Sequence, residues 1–325
     1  MAGVEHMRAL YFDGERARLV ERPAPDLAER VGIRVSLAGV CATDLEITRG
    51  YMDYRGILGH EFVGRVATGP AEWIGARVVA EINIACGSCA SCRQGLGRHC
   101  PTRSVIGILG ADGAFAEHIA MPLGNLHRVP DSVPDEAAVF AEPLAAAFEI
   151  LEQIEVRPEH RVLVFGDGRL GLLISQVMRT TGASVTTIGK HGKKLALLSE
   201  FGIETCLLAD WDASSAPGDI VVEATGSPKG FAQAVSATRP RGHLVLKSTV
   251  AHAGAIDLSP IVINEIVVVG SRCGPFAPAL AALADGSVRV SGLIAERFGI
   301  DRGEEALREA GESGVLKVLI DCGGA

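Results

Sequence analysis

The chain has 325 residues, of which 48% are apolar and 22% are charged, and this is the composition of a folded, water-compatible protein. Its length exceeds that of one ordinary domain, so two domains are expected. The 39 acidic and 31 basic side chains leave a formal charge of −8, which disfavours a nucleic acid or an anionic membrane surface as a partner.

The N-terminal segment predicts a cytoplasmic protein. Residues 1–12 contain Glu5 and Arg8 and lack the apolar run of a signal peptide. No stretch of the sequence reaches the roughly 18 uncharged apolar residues that a membrane helix needs. In the cytoplasm, the eight cysteines indicate metal ligands or free thiols rather than disulfides.

Residues 8–129 are typical of a β domain. Short β-branched runs, such as residues 31–35 and 77–82, alternate there with glycine turns. The pattern changes near residue 132, because residues 132–136 resemble a helix start with acidic side chains in its first turn. An alanine-rich stretch continues to residue 154, so we expect a hinge between two domains here.

After residue 158, apolar strands alternate with helical segments. Strands are predicted at residues 161–166, 184–189, 219–224, 243–248 and 265–271, and helices at residues 169–181, 193–201 and 228–238. This βαβ alternation predicts a parallel sheet with helices on both faces, the doubly wound α/β class. The pattern of residues 275–325 predicts two short helices and a final strand at 315–320.

Four cysteines lie close together within the β region. The spacing Cys86-x-x-Cys89-x-x-Cys92, followed by Cys100, offers four thiolates, and the intervening glycines give turns that bring them to one tetrahedral ion. Since the protein fills every ligand position, we expect a structural zinc. Free thiols or local disulfides are the alternative reading, which the compartment disfavours. The acidic charge disfavours a nucleic-acid-binding zinc module.

A second set of metal-binding side chains is dispersed along the chain. It comprises Cys41, His60 and Glu142. Each alone has an ordinary explanation: a small core cysteine, a hydrogen-bonded loop histidine, and a carboxylate on a helix face. Together they have the composition of a catalytic zinc site with one open position. The spacing alone does not show that they converge.

A glycine-rich turn follows the first strand of the βαβ region and opens a helix, as a dinucleotide-binding loop does. Gly166 permits the tight turn, Gly168 lets the backbone approach a pyrophosphate, and Gly171 allows close packing of helix and strand. A purely structural turn is the alternative. The candidate cofactor-binding residues of this loop are Gly166, Gly168, Arg169, Leu170 and Gly171.

The end of the second strand predicts which dinucleotide binds. An acidic residue there would bind the adenosine ribose and repel a 2′-phosphate, but Gly189 occupies that position. Lys190, His191, Lys193 and Lys194 follow at once. The missing carboxylate and these cations favour NADP over NAD, although the two later lysines also suit a solvated helix start.

These elements, in this order, resemble the zinc-dependent alcohol dehydrogenases of the medium-chain dehydrogenase/reductase superfamily. The motifs that carry the resemblance are the four-cysteine lobe, the glycine-rich loop, and Gly59-His60-Glu61-Phe-Val-Gly64, Gly113-Ala-Phe-Ala-Glu117 and Val315-Leu-Lys317-Val-Leu-Ile320. The resemblance implies an α/β plus β fold. Residues 1–145 and 275–325 would form a GroES-like β-barrel catalytic domain with a structural-zinc lobe at 84–103. Residues 146–274 would form an inserted Rossmann domain.

The resemblance also implies residue roles in the catalytic domain. Cys41 and His60 match catalytic-zinc ligands, and Glu142 lies where polyol and sugar dehydrogenases have an acid. Glu61 would be a neighbouring or alternate ligand. Thr43 matches the hydroxyl that binds the substrate oxygen and passes on its proton.

Three further positions complete the expected site. Many members have a histidine in the proton relay where this chain has Glu46, so either Glu46 takes the proton or the relay runs through the cofactor ribose and water. Lys317 falls where members keep a cation near the cofactor phosphates. Thr225 is also expected to bind the cofactor.

The implied reaction is hydride transfer between an alcohol and a nicotinamide cofactor, with zinc lowering the pKa of the alcohol. Two zinc ions per subunit are implied, one catalytic and one structural. Paired edge strands at residues 265–271 would make a homodimer, alone or within a homotetramer. The alternatives are a zinc-free enone or quinone reductase on the same fold and a non-catalytic NADP-binding redox sensor.

Overall fold

A computed structural model describes residues 5–212, 216–248 and 257–323. The remaining positions, which include both ends of the expected catalytic domain and parts of the expected Rossmann domain, lie outside the described residues. The chain divides into two compact units. Unit 1 is Met1–Glu142 with Val290–Ala325, and unit 2 is Pro143–Arg289.

Nineteen strands and ten α-helices are found in the described residues. The strands are β1 His6–Phe12, β2 Ala17–Pro23, β3 Val31–Gly39, β4 Gly56–Ile57, β5 Glu61–Thr68, β6 Arg77–Ala80, β7 Asn83–Ile84, β8 Ser104–Ile106, β9 Gly110–Ala111, β10 His118–Met121, β11 Leu126–Arg128, β12 Arg161–Phe165, β13 Ser184–Gly189, β14 Glu204–Leu207, β15 Gly218–Glu223, β16 Thr238–Leu246, β17 Val267–Gly270, β18 Ile294–Gly299 and β19 Lys317–Asp321. The helices are α1 Ala42–Ile47, α2 Ala90–Arg93, α3 Asp135–Ala138, α4 Ala141–Gln153, α5 Arg169–Thr180, α6 Gly192–Leu195, α7 Pro228–Ala237, α8 Ser259–Ile263, α9 Phe276–Asp285 and α10 Gly303–Ala310.

Unit 1 is built around strand β3, which is buried along nearly its whole length. Strands β5, β10 and β19 all pair with β3 in antiparallel register. Gly39 at the end of β3 pairs with Glu61 of β5 on one side and Leu319 of β19 on the other. Because β19 comes from the C-terminal part of the chain, both ends of the sequence build this sheet. The expected β domain is therefore confirmed.

Unit 2 is a six-stranded, all-parallel sheet in the order β14-β13-β12-β15-β16-β17. This is the doubly wound strand order, with the topological switch between β12 and β15. The apolar runs of β12 and β15 are buried, as strands covered on both faces require. The expected α/β class is confirmed.

The units differ from the expected domain boundaries mainly at residues 275–289, which lie in unit 2. Two contacts hold the ends of this segment against unit 2. The Gln176 side chain of α5 exchanges hydrogen bonds of 2.8 and 3.1 Å with the backbone of Arg289. Gly274 packs so closely that a Cβ there would lie 1.8 Å from the carbonyl oxygen of Ala145. The boundaries of the functional domains stay a prediction.

Three local differences from the sequence-based expectation have a physical reason. The expected helix at residues 193–201 is the single turn α6 followed by a 3-10 helix, Ala196–Phe201. Strands β14 and β18 were not predicted, because most of their side chains are exposed or half-buried and show no alternation.

Among the described residues, none of the helices has the length and hydropathy needed to span a bilayer.

Two glycines of the loop after β12 differ in the space around their Cα atoms. A Cβ on Gly171 would lie 2.0 Å from the carbonyl oxygen of Gly166, whereas a Cβ on Gly168 would meet no atom within 4 Å. Gly166 itself has φ of +124°, which side chains rarely adopt. Gly171 is thus required for packing, and Gly168 is not.

Gly171→Ala is expected to lower the free energy of unfolding of unit 2 by about 2 kcal/mol or more, because the added methyl must displace backbone. The matched control is Gly168→Ala, which we expect to cost less than about 1 kcal/mol. Urea unfolding followed by circular dichroism measures both variants. An equal loss of stability in the two would contradict the packing explanation.

Candidate active site

The four cysteines of the lobe converge in unit 1. Their sulfur atoms lie within 4.8 Å of one another. Measured Sγ–Sγ distances are 3.5 Å for Cys89 and Cys92, 3.6 Å for Cys86 and Cys100, 3.8 Å for Cys89 and Cys100, and 3.9 Å for Cys86 and Cys92. Four sulfurs at a Zn–S distance of about 2.3 Å in a tetrahedron are about 3.8 Å apart. The geometry therefore fits a closed tetrathiolate site.

Local backbone structure positions these sulfurs. Cys89 caps helix α2, and its Sγ accepts a hydrogen bond from the Cys92 backbone N–H at 3.5 Å. The Cys86 N–H is donated to Cys100 Sγ at 3.5 Å. Backbone N–H groups of Ser88 and Cys89 lower the pKa of the Cys86 thiol, which favours the thiolate that a metal needs.

A second group with metal-ligand chemistry is formed by Cys41, His60 and Glu61, whose donor atoms lie within 4.8 Å of one another. Cys41 follows β3 and caps helix α1, while His60 and Glu61 stand at the start of β5. His60 and Glu61 are buried, and Cys41 is half-buried. The pairing of β3 with β5 brings these chain segments together.

Asp44 is the buried carboxylate that orders this group, and it was not predicted. Its Oδ2 accepts the Cys41 N–H at 2.8 Å, and its Oδ1 accepts the Gly59 N–H at 3.3 Å. His60 Nδ1 lies 3.2 Å from the same Oδ1, although the ring nitrogen makes no well-aligned hydrogen bond. The sequence pattern Cys-x-x-Asp at a helix start could have indicated this role, because the aspartate of such a capping box binds the backbone of the cap residue.

The charges around His60 affect its protonation. Burial lowers the pKa of its imidazole, but the neighbouring Asp44 carboxylate and Cys41 sulfur outweigh burial and raise the pKa well above the usual value. A carboxylate behind a histidine ligand is a common arrangement in metal sites, where it fixes the ring orientation.

Glu61 forms a buried ion pair with Lys317, and both side chains are only 1% exposed. Lys317 Nζ also donates to the carbonyl oxygen of Val40 at 3.3 Å and lies 5.5 Å from the centroid of the Phe140 ring. The ammonium is thus enclosed within unit 1. This placement does not support the expectation that Lys317 serves the cofactor phosphates.

The other expected residues of the catalytic domain are less tightly gathered. Glu142 lies in the first turn of α4, is half-buried, and is not part of the group within 4.8 Å. Thr43 is near the group, with its Oγ1 3.8 Å from Cys41 Sγ. Glu46 makes an ion pair of 2.6 Å with the exposed Arg49, so the structure gives no support to a relay role for Glu46.

In unit 2, the glycine-rich loop lies at the carboxyl end of β12, and Gly168 is the N-cap of α5. Arg169 and Leu170 open that helix, whose N-terminus can receive an anion. Thr225 follows β15, and Glu223 Oε1 accepts hydrogen bonds from its N–H at 2.7 Å and its hydroxyl at 2.5 Å. Glu223, buried at the strand end, was not predicted.

The residues that are expected to select the cofactor lie at the end of strand β13 and directly after it. Gly189 is the last residue of β13, Lys190 and His191 are exposed, and Lys194 is half-buried in α6. They lie in the same unit as the glycine-rich loop. This position in the sheet agrees with the one expected for residues that select the cofactor.

Donor chemistry tests whether zinc fits unit 1. Four sulfurs at tetrahedral spacing match a structural zinc, and a thiol, an imidazole and a carboxylate match the donor types of a catalytic zinc. Three protein donors would leave one position of a tetrahedral zinc for water or substrate. The residues present therefore fit both ions.

Family models match the chain in two places. The alcohol dehydrogenase GroES-like domain matches residues 28–131, and the zinc-binding dehydrogenase domain matches residues 170–285. An L-threonine 3-dehydrogenase of Mesorhizobium japonicum is 30% identical and covers 93% of this chain and 94% of its own. A D-altritol 5-dehydrogenase of Agrobacterium fabrum is 34% identical over 68% of this chain and 70% of its own.

A solved structure supports the same assignment. It is rspB of Escherichia coli CFT073, described as a short chain alcohol dehydrogenase complexed with NADH, with 26% identity and a TM-score of 0.89. The match covers 98% of this chain and 99% of that one. Because the full-length relatives and both domain models agree, the chain belongs to the zinc-dependent alcohol dehydrogenases of the medium-chain dehydrogenase/reductase superfamily.

Proposed function

We propose that this protein is a zinc-dependent oxidoreductase that transfers hydride between a secondary alcohol, polyol or sugar and a nicotinamide cofactor. The observation that carries the proposal is the convergence of Cys41, His60 and Glu61, with the Asp44 carboxylate in contact with the first two. The zinc-free reductase and the redox sensor leave this group without a role. The names of the threonine and altritol dehydrogenases favour a hydroxylated substrate.

Two zinc ions per chain complete the proposal, a structural one at the four cysteines and a catalytic one at Cys41 and His60. When bound, the catalytic ion polarises the substrate oxygen. Asp44 holds Cys41 and His60 in place, and the hydroxyl of Thr43, near Cys41, is suited to accept the alcohol proton. A reducing cytoplasm, as the sequence predicts, suits the free thiols of the cysteine lobe.

Glu142 is proposed as the third ligand of the catalytic zinc, with Glu61 as the competing carboxylate. Glu61 is already within the group, but its negative charge is compensated by Lys317. An ion pair of this kind holds the carboxylate in place and reduces its availability to a metal. Glu142 is half-buried in the first turn of α4, and it stands where the resemblance implies an acidic zinc ligand.

NADP is proposed as the preferred cofactor. The support is the absence of a side chain at Gly189 and the cationic residues Lys190, His191 and Lys194 after β13. The loop of Gly166, Gly168 and Gly171, with Thr225 opposite at the end of the adjacent strand β15, would take the pyrophosphate and nicotinamide side of the cofactor.

A homodimer, alone or within a tetramer, is proposed through strand β17. It is the last strand of the unit 2 sheet, and Val267 and Val268 are 48% and 40% exposed. The nearby helix α8 carries Val262 and Ile263, which are 74% and 77% exposed. An exposed apolar edge strand is a surface that another strand can extend.

A substrate panel tests the proposed function. Zinc-loaded protein is assayed with primary and secondary alcohols, polyols and sugars, each with NADP⁺ and NAD⁺, and in reverse with carbonyls and enones. We expect oxidation of one hydroxylated class, with a higher kcat/KM for NADP⁺ and complete loss in Cys41→Ser. NADPH binding without any turnover would favour the redox sensor. Enone reduction that survives chelation would favour the zinc-free reductase.

Two variants separate the competing carboxylates. Glu142→Gln is expected to reduce bound zinc from about two ions to about one per chain, measured by elemental analysis after dialysis against a chelator. Glu61→Gln combined with Lys317→Met removes the buried pair together, which avoids an uncompensated charge, and is expected to keep both ions. The reverse pattern would assign the ligand role to Glu61.

Val268→Lys is expected to convert the oligomer to monomers, because a lysine on an edge strand opposes strand pairing. The matched control is Leu207→Lys on β14, the opposite edge of the same sheet, which should leave the mass unchanged. Size-exclusion chromatography with light scattering measures the mass. Dissociation by the control and not by Val268→Lys would place the interface elsewhere.

A further inference from the structure

Asp167 is a carboxylate inside a loop that is built to receive an anion. It lies between Gly166 and Gly168, directly before the N-terminus of α5, and is 8% exposed. A negative charge there opposes the binding of a pyrophosphate, and its burial is costly without a compensating cation. A partner that donates a hydrogen bond to the Asp167 carboxylate would reduce this cost.

That partner is His191, which follows strand β13. Asp167 Oδ2 lies 2.6 Å from the backbone nitrogen of His191, which donates to it, and 3.0 Å from the ring Nδ1. The side chain of His191 is 43% exposed, against 11% for that of Asp167. One end of the imidazole is thus held by the carboxylate, and the other ring nitrogen, Nε2, lies across the ring from it.

A side chain at position 189 is excluded by packing as well as being absent from the sequence. A Cβ at this position would lie 2.5 Å from Asp167 Cβ and 2.7 Å from both Asp167 Cγ and Oδ2. Asp167 therefore occupies the space that a side chain at the end of β13 would need. Gly189, Asp167 and His191 form one packed arrangement rather than three separate features.

We propose that Asp167 is a positioning residue for NADP: its Oδ2 accepts the backbone N–H and the ring Nδ1–H of His191, and the ring held in this way presents its Nε2 edge to the 2′-phosphate. This inference rests on the proposed function, since it concerns the cofactor of that reaction. In this arrangement the Asp167 carboxylate is engaged by two donors of His191, and Lys190 and Lys194 supply the positive charge for the phosphate. Asp167 itself does not touch the cofactor.

A different role for Asp167 has the opposite consequence. If its carboxylate replaced the missing strand-end acid, it would accept the ribose 2′-hydroxyl and repel a 2′-phosphate, and NAD would be favoured. The contacts of Oδ2 support the positioning role, because this oxygen accepts two donors of His191, whereas the other role would need Oδ1 to accept the ribose hydroxyl. The two roles predict opposite results when the Asp167 charge is removed. Phosphate binding would weaken if Asp167 positions His191, and it would strengthen if the carboxylate repels the phosphate.

The test compares dissociation constants for NADPH and NADH, measured by fluorescence titration of the full-length, zinc-loaded protein. The variants are Asp167→Asn, His191→Gln and the double variant. Asn keeps the size of Asp167 and an oxygen for the His191 N–H but loses the negative charge that holds the His191 ring. The matched control is Glu200→Gln, which removes an exposed negative charge from the same unit.

Asp167→Asn and His191→Gln are each expected to weaken NADPH binding about 10-fold and NADH binding less than about 3-fold, as loss of one charge-assisted hydrogen bond to the phosphate would do. The double variant should lose little more than the worse single variant, because the two residues act as one unit. Glu200→Gln should leave the NADPH to NADH ratio unchanged. Titrations with 2′,5′-ADP and 5′-ADP should repeat the pattern.

Three results would overturn the inference. The first is Asp167→Asn binding NADPH as tightly as, or more tightly than, the unmodified protein. The second is an equal loss for both nucleotides, which would indicate a general effect on the loop. The third is additive losses in the double variant. Unmodified protein that binds only NADH would refute this inference and the proposed NADP preference but not the proposed hydride transfer, whereas protein that binds neither nucleotide would refute the proposed function as well.

Discussion

The ion pair between Glu61 and Lys317 is the interaction on which unit 1 depends. It joins residues 256 positions apart in the sequence, and neither side chain is more than 1% exposed. A lone charge at either position would be strongly destabilising, because removal of one partner from a buried pair costs about 3–5 kcal/mol. The N-terminal β region and the last strand must therefore assemble together.

The same constraint locates the candidate metal site. Lys317 also binds the carbonyl oxygen of Val40, the residue directly before Cys41. Glu61 directly follows His60 in the sequence. The pair thus anchors the backbone next to two proposed ligands, while Asp44 anchors the ligands from the other side through Cys41 and His60. The ligand geometry is determined by residues that need not touch the metal.

The sequence was sufficient for features that depend on local pattern. The cysteine spacing, the βαβ alternation and the glycine-rich loop each predicted a structure that is found, because the spacing of ligands or apolar residues along one segment determines it. It was insufficient where distant segments meet. The burial of Lys317 depends on β19 pairing with β3, and the exclusion of Glu142 from the group within 4.8 Å depends on how α4 begins. Neither is a property of a short window.

The packing of Asp167 against Gly189 restricts how this chain can change its cofactor. An acidic residue introduced at position 189 alone would place its Cβ 2.5–2.7 Å from atoms of Asp167. A single substitution at this position therefore conflicts with the packing. A smaller residue at 167 must come first, and it would release His191 before any new ribose contact exists. An evolutionary route from one nucleotide to the other would thus pass through an intermediate adapted to neither, which would make the proposed preference slow to change.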